Sequence, residues 1–182
     1  MTEESLQRRQ AMEPDVREAV QLMVERALAF RDKQDAFTAY MYLWTAFNNI
    51  YRFASPSGGD EAAWTHLLED GALVKIDDLK TDKVMGALGR LRTNRPQESP
   101  DRCGVVDMLS YWRGGDVRLL TLGEAPSLVE IGKVLYAVRN NLVHAIKREV
   151  DSNDGEILEA AFTILLPLVE HLRARGKWLP EG

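Results

Sequence analysis

The segment from Tyr136 to His144, YAVRNNLVH, gathers the side chains with the most chemical reach in this 182-residue chain. Histidine has an unperturbed pKa of about 6.5, so it takes up and releases a proton near neutral pH. Arginine carries a permanent planar charge whose fork matches phosphate and carboxylate oxygens. Here they are Arg139 and His144, separated by four residues that include Asn140 and Asn141, with Lys147 and Arg148 just beyond. On an ideal helix, residues with this spacing point about 140° apart. Arg139 and His144 therefore converge only where the helix ends or loosens between them, or where a second copy supplies the other half. The alternative is a helix C-terminus carrying the cations its dipole favours.

These residues must be positioned by helices. Ser127 and Glu130 form an S-x-x-E capping box, and Leu128, Ile131, Leu135, Val138 and Leu142 follow as an apolar stripe reaching His144. DSNDG at 151–155 reads as a turn with Asp154 as N-cap. A final helix over 155–174 then buries Ile157, Leu158, Ala161, Phe162, Leu165 and Leu168, with a kink expected at Pro167. Near the start, Pro14 suits a first helical position, and Val16, Val20, Met23, Val24, Ala27 and Leu28 recur with helical period over 15–31. A helix over 35–53 aligns Phe37, Tyr40, Met41, Trp44, Phe47 and Tyr51, with Asp35 as its cap. So short a joint makes these two helices an antiparallel hairpin or one kinked helix.

The middle is more varied. The spacing predicts helices over 60–70 (Trp64, Leu67, Leu68, stopped by Gly71), from Asp77 or Asp78 to Leu91, and over 104–113, ended by Gly114 and Gly115. Residues 92–103 are polar with two prolines and read as irregular, and 116–122 as extended with no good partner strand. The expected fold class is all-α: a single compact helical domain over 1–182, with 55–125 as an insertion or variable region.

Composition narrows the function. Lys and Arg number 23 against 28 Asp and Glu, a net charge of −5, which argues against a nucleic-acid-coating protein and leaves room for a local basic site. Cys103 is the sole cysteine, so no intramolecular disulfide forms and a cytoplasmic setting is expected. The N-terminus shows no secretory signal, and the longest uncharged run, Ala36–Tyr51, is too short and too polar to span a membrane. No P-loop or nucleophile elbow occurs. One cysteine and three histidines without an H-x-x-x-H pair make a metal site unexpected, and no cofactor is implied. DSNDGE at 151–156 resembles a calcium loop faintly, but a capping turn explains it better. Arg90, Arg92, Arg95 and Arg102 form a second basic cluster, read as a solvated loop or as a guide for nucleic acid.

R-N-N-L-V-H at 139–144 matches the R-x4-H signature of HEPN domains, in which a polar residue, here Asn140, usually follows the arginine. The stretch VLYAVRNNLVHAIKREVDSNDGEILEAAFTILLPLVEHL resembles the last two helices of many bacterial HEPN proteins. MYLWTAFNNIYRFA, at 41–54, is similar to the aromatic-rich N-terminal helix of the same group, with Trp44, Phe47, Asn48 and Tyr51 on a W-x-x-F-N-x-x-Y pattern. The resemblance covers 36–54 and 127–172, and Ala145 departs from it, because glycine often follows the histidine.

The resemblance implies a homodimer in which two R-x4-H motifs face each other across a cleft, and a metal-independent endoribonuclease. His144 would move the proton, Arg139 would hold the phosphate, and Asn140 would orient His144 or bond the phosphate. Tyr136, Lys147 and Arg148 are expected to border or contact RNA. The products would carry a 2′,3′-cyclic phosphate and a 5′-hydroxyl. The implied setting is toxin–antitoxin or phage defence, with an antitoxin such as a minimal nucleotidyltransferase. Against this stands a non-catalytic helical dimer that binds a protein or a nucleotide, in which Arg139 and His144 would be buried in hydrogen bonds. A weaker alternative is a regulatory domain with an apolar ligand pocket away from residue 139.

Overall fold

A computed structural model describes residues 3–55, 58–69, 73–96, 101–107, 118–144, 152–175 and 178, without the side chains of 3–6, 8, 144 and 152–154. Helix predominates among the described residues, with two three-residue strands, so the fold class is all-α. The helices are α1 (Glu3–Asp32), α2 (Ala36–Ala54), α3 (Asp60–Glu69), α4 (Ile76–Leu79), α5 (Asp82–Thr93), α6 (Leu128–His144) and α7 (Ser152–Ala174). Two short strands, β1 (Val105–Asp107) and β2 (Arg118–Leu120), pair antiparallel with Val106 opposite Leu119. The chain divides into two compact units, one made of 1–78 and 166–182, the other of 79–165.

In the first unit α1 and α2 form the hairpin that their short joint requires. The N–H of Asp35 reaches the carbonyl of Phe30 and that of Gln34 the carbonyl of Arg31, a Schellman closure with Gln34 at φ 61°. Asp35 then caps α2 by accepting from the Thr38 N–H at 2.9 Å. One residue thus ends the first helix and starts the second. Phe30 stacks on Tyr42 with ring centroids 5.4 Å apart. Along α2, Trp44 meets Phe47 edge-on at 5.4 Å and Phe47 meets Tyr51 at 5.2 Å. Tyr40, Trp44, Phe47 and Tyr51 are buried, each contributing roughly 1.5–3 kcal/mol as a large apolar side chain removed from water. Phe37, in the first turn, is 42% exposed and stands outside that core.

Helix α1 starts well before Pro14, which lies inside it rather than at its first position. Pro14 is exposed there, where a lost backbone bond is most easily tolerated. The neighbouring Glu13 is buried and accepts from Arg17 Nη2 at 2.6 Å and from the Trp178 N–H at 2.9 Å. Trp64, Leu67 and Leu68 of α3 are buried as their spacing predicts, and Gly71 lies outside the described residues.

The second unit holds the larger departures from the sequence-based expectation. The helix expected to start at Asp77 or Asp78 is two helices. Thr81 breaks the run in an extended conformation and recaps α5, accepting from the Val84 N–H at 3.2 Å. Where a helix was expected to begin, Val105–Asp107 is a strand, and its partner is the extended piece at 118–120 that had none in the sequence. Two β-branched valines favour the strand, and Gly104 introduces it at φ +143°. A Cβ at Gly104 would lie 2.4 Å from the Leu120 carbonyl oxygen, so the hairpin closes only with glycine there. Residues 108–117 lie outside the description.

The expected turn at 151–155 is also revised. Helix α7 is helical from Ser152, and Asp154 lies within it rather than capping it. Apolar periodicity marks where burial begins, not where the helical backbone does. Among its predicted core residues Leu158, Ala161, Phe162, Leu165 and Leu168 are buried, and Ile157 is half-buried. The helix continues through Pro167.

Candidate functional site

Helix α6 carries the R-x4-H motif, and its start is anchored. The Ser127 N–H donates to Glu130 Oε2 at 2.7 Å, and the Glu130 N–H donates to Ser127 Oγ at 3.2 Å, so the capping box is reciprocal. These bonds hold the exposed Glu130 carboxyl below its usual range, the Ser127 backbone N–H having the largest effect. Leu128, Ile131, Leu135 and Val138 are buried along the predicted stripe, joined by Val134 and Ala137; Leu142 is half-buried.

At the far end the polar residues separate by role. Asn140 is 2% exposed, and with Glu13 it is one of two buried polar residues among those described. Its Oδ1 accepts from Arg139 Nη1 at 2.8 Å. Adjacent helix residues do not ordinarily face each other, so the long arginine side chain folds back to make this contact. Arg139 is half-buried, and its Nε is buried without a hydrogen-bond partner among the described residues. Asn141 turns to a different element and donates to the Val106 carbonyl at 2.6 Å, tying α6 to β1. Tyr136, one turn before Asn140, is half-buried. His144 is the last residue of α6, and its side chain lies outside the described set, as do Lys147 and Arg148. The arrangement therefore presents a guanidinium held on one side by a buried amide, on the last two turns of a helix braced by a strand. Such a group can hold an anion at a fixed place.

The other polar candidates lie apart in the chain. Arg90, Arg92, Arg95 and Arg102 are exposed, and Arg90 and Arg95 line a cleft that also includes Glu156. Nothing in the sequence marked Glu156, because its neighbours in the cleft are more than sixty positions earlier. Cys103 is a half-buried free thiol. In the first unit His66 is exposed on α3, and His171 lies 3.5 Å from Asp78 in the last turn of α7. Asn48 is half-buried on α2. The two resembling segments fall in both units, 36–54 in the first and 127–165 in the second, with 166–172 returning to the first. Among the described residues no group of three His, Cys, Asp or Glu side chains is placed to hold a metal ion. None of the described helices is long and apolar enough to cross a membrane. Comparison with protein-family models, curated proteins and solved structures returned no significant match.

Proposed function

We propose that this protein is a metal-independent endoribonuclease of the HEPN type, acting as a cytoplasmic homodimer. The observation that carries the reading is the R-x4-H motif on the last turns of a capped amphipathic helix, with Arg139 held by Asn140. RNA brings its own nucleophile, the 2′-hydroxyl. His144 takes its proton as the 2′-oxygen attacks the adjacent phosphorus. Arg139 stabilises the charge gathering on the non-bridging oxygens. The P–O5′ bond breaks, the 5′-oxygen leaves with a proton, and a 2′,3′-cyclic phosphate remains. Tyr136, Lys147 and Arg148 border the RNA in this reading. The biological setting is toxin–antitoxin or phage defence, with an antitoxin of the minimal nucleotidyltransferase class, by analogy with the family the motif resembles.

A second reading is a non-catalytic helical dimer that binds a protein or nucleotide partner. The near-complete burial of Asn140 favours this, because an adapter uses such residues to hold itself together.

The test is cleavage of a mixed structured and single-stranded RNA pool in EDTA, with end-group analysis. Wild type is expected to leave cyclic phosphate ends, and Arg139→Ala and His144→Ala to lose activity by about a hundredfold or more. A folded wild type without activity points to the adapter. Cleavage retained by both variants refutes the assignment.

A further inference from the structure

The cleft of about 350 Å³ in the second unit is lined by Arg90, Leu91 and Thr93 from the end of α5, by Asn94 and Arg95 just after it, and by Glu156 and Ile157 from α7. From Lys83 to Pro96 the chain carries no acidic residue, so the charge on this wall is all positive and Leu91 is its one apolar member. It is also fixed in place. Asn94 Nδ2 donates to the Gly104 carbonyl at 2.7 Å, and the Gly104 N–H returns to the Asn94 carbonyl at 2.8 Å. Gly104 is in turn seated against Leu120 of β2. The strand hairpin therefore clamps the segment that carries Arg95.

The part of the lining contributed by α7 presents a carboxylate, Glu156. Neither Arg90 nor Glu156 makes a hydrogen bond or ion pair among the described residues, although both line one cleft. A cleft with separated charges of both signs selects a ligand that offers an anion to one wall and a hydrogen-bond donor to the other. Guanidinium groups favour phosphate oxygens. A carboxylate repels phosphate but accepts readily from a hydroxyl. A phosphate with a neighbouring hydroxyl is the ribose-phosphate unit of RNA, and the 2′-hydroxyl is what distinguishes it from DNA. The volume is near the lower end of small-ligand clefts, roughly 300–1,000 Å³, which suits one nucleotide unit rather than a duplex.

We infer that this cleft binds a ribose-phosphate unit of single-stranded RNA, Arg90 and Arg95 holding the phosphate and Glu156 accepting from the 2′-hydroxyl. The inference rests on the ribonuclease reading in taking RNA as the ligand, and it adds a contact site outside the R-x4-H motif.

The experiment measures binding of a labelled 12-nucleotide RNA and the matching DNA by fluorescence anisotropy at several salt concentrations. His144→Ala serves as background so that RNA stays intact. Arg90→Gln/Arg95→Gln is expected to weaken RNA binding about tenfold or more, and to reduce the salt slope by about 1.4 for two lost phosphate contacts on a single strand. Glu156→Gln is expected to shrink the RNA-over-DNA preference about threefold. Arg118→Gln, an exposed arginine outside the cleft, is expected to change affinity by less than about twofold. Should the double variant melt early, Arg90→Gln alone carries the test with about half the slope change.

Unchanged RNA affinity in the folded Arg90 variants overturns the proposal, as does equal affinity of the background protein for RNA and DNA, or no RNA binding. Parallel cleavage assays separate the two readings. Cleavage that needs Arg139, with RNA binding indifferent to Arg90 and Arg95, removes the cleft and keeps the ribonuclease. Binding through the cleft without Arg139-dependent cleavage removes the ribonuclease and keeps the cleft.

Discussion

Asn140 and Asn141 stand side by side on α6 and reach different partners. Asn140 accepts from the Arg139 guanidinium, whereas Asn141 donates to the backbone of β1. The R-x4-H resemblance set Asn140 in the motif, but the residue type is the same and does not by itself separate their partners. The 100° step between them does, because it turns one amide inward and the other toward the strand. Asn141→Ala removes the donor from the Val106 carbonyl and is expected to cost about 0.5–1.5 kcal/mol. Urea unfolding checks this: the midpoint should fall with the slope unchanged. An unchanged midpoint would mean that water replaces the amide at no loss. Arg139 was singled out by its spacing to His144; its bond to Asn140 depends on how the side chain folds back, which periodicity does not encode.

At the scale of elements, the start of α6 was legible down to individual atoms. Ser127 and Glu130 lie within one helical turn, so their reciprocal bonds need nothing from the rest of the chain. Glu130 is held below its usual carboxylate range by Ser127. A depressed folded pKa stabilises above the unfolded value, about 4.3, and that contribution fades as pH falls through the folded one. Wild type and Glu130→Gln should therefore differ in melting temperature at pH 7 and converge as the pH falls below the carboxylate range. A difference that persists at low pH would mean that the carboxylate charge is not what matters. Ser127→Ala should cost about 1 kcal/mol. The strand hairpin was not legible. Val105–Asp107 is three residues long, and its partner lies beyond residues 108–117. A short apolar run of this kind fits helix or strand equally well until the partner is known.

At the scale of the molecule, the first unit is assembled from both ends of the chain. Trp178 is buried against α1, where its backbone N–H donates to Glu13 and the Arg17 guanidinium lies 4.1 Å from its ring centre. Its indole N–H donates to the Leu172 carbonyl at 2.7 Å, and Phe53 of α2 meets the ring edge-on. Arg17 also reaches the Arg173 carbonyl at 2.6 Å. Trp178→Ala is expected to destabilise the protein by about 3–5 kcal/mol, read by thermal or urea unfolding. A loss below about 1 kcal/mol would show that the C-terminal contact forms but holds little, as an exposed surface substitution would. A pairing 165 positions apart closes a long loop and is expected to form late in folding.

Legible in the chain alone were the all-α class, the existence of the long helices though not the starts of α1 and α7, the caps at Asp35 and Ser127, and the placement of Arg139, Asn140 and His144 on one helix end. Each of these depends on backbone bonds and side-chain repeats that act within a turn or two, so the information is local. It took the folded chain to make Val105–Asp107 a strand, to tie Asn141 to it, to bury Glu13 at Trp178, and to bring Glu156 into one cleft with Arg90 and Arg95. Those pairings join residues far apart in the chain, and what selects them is the path that brings the two segments together.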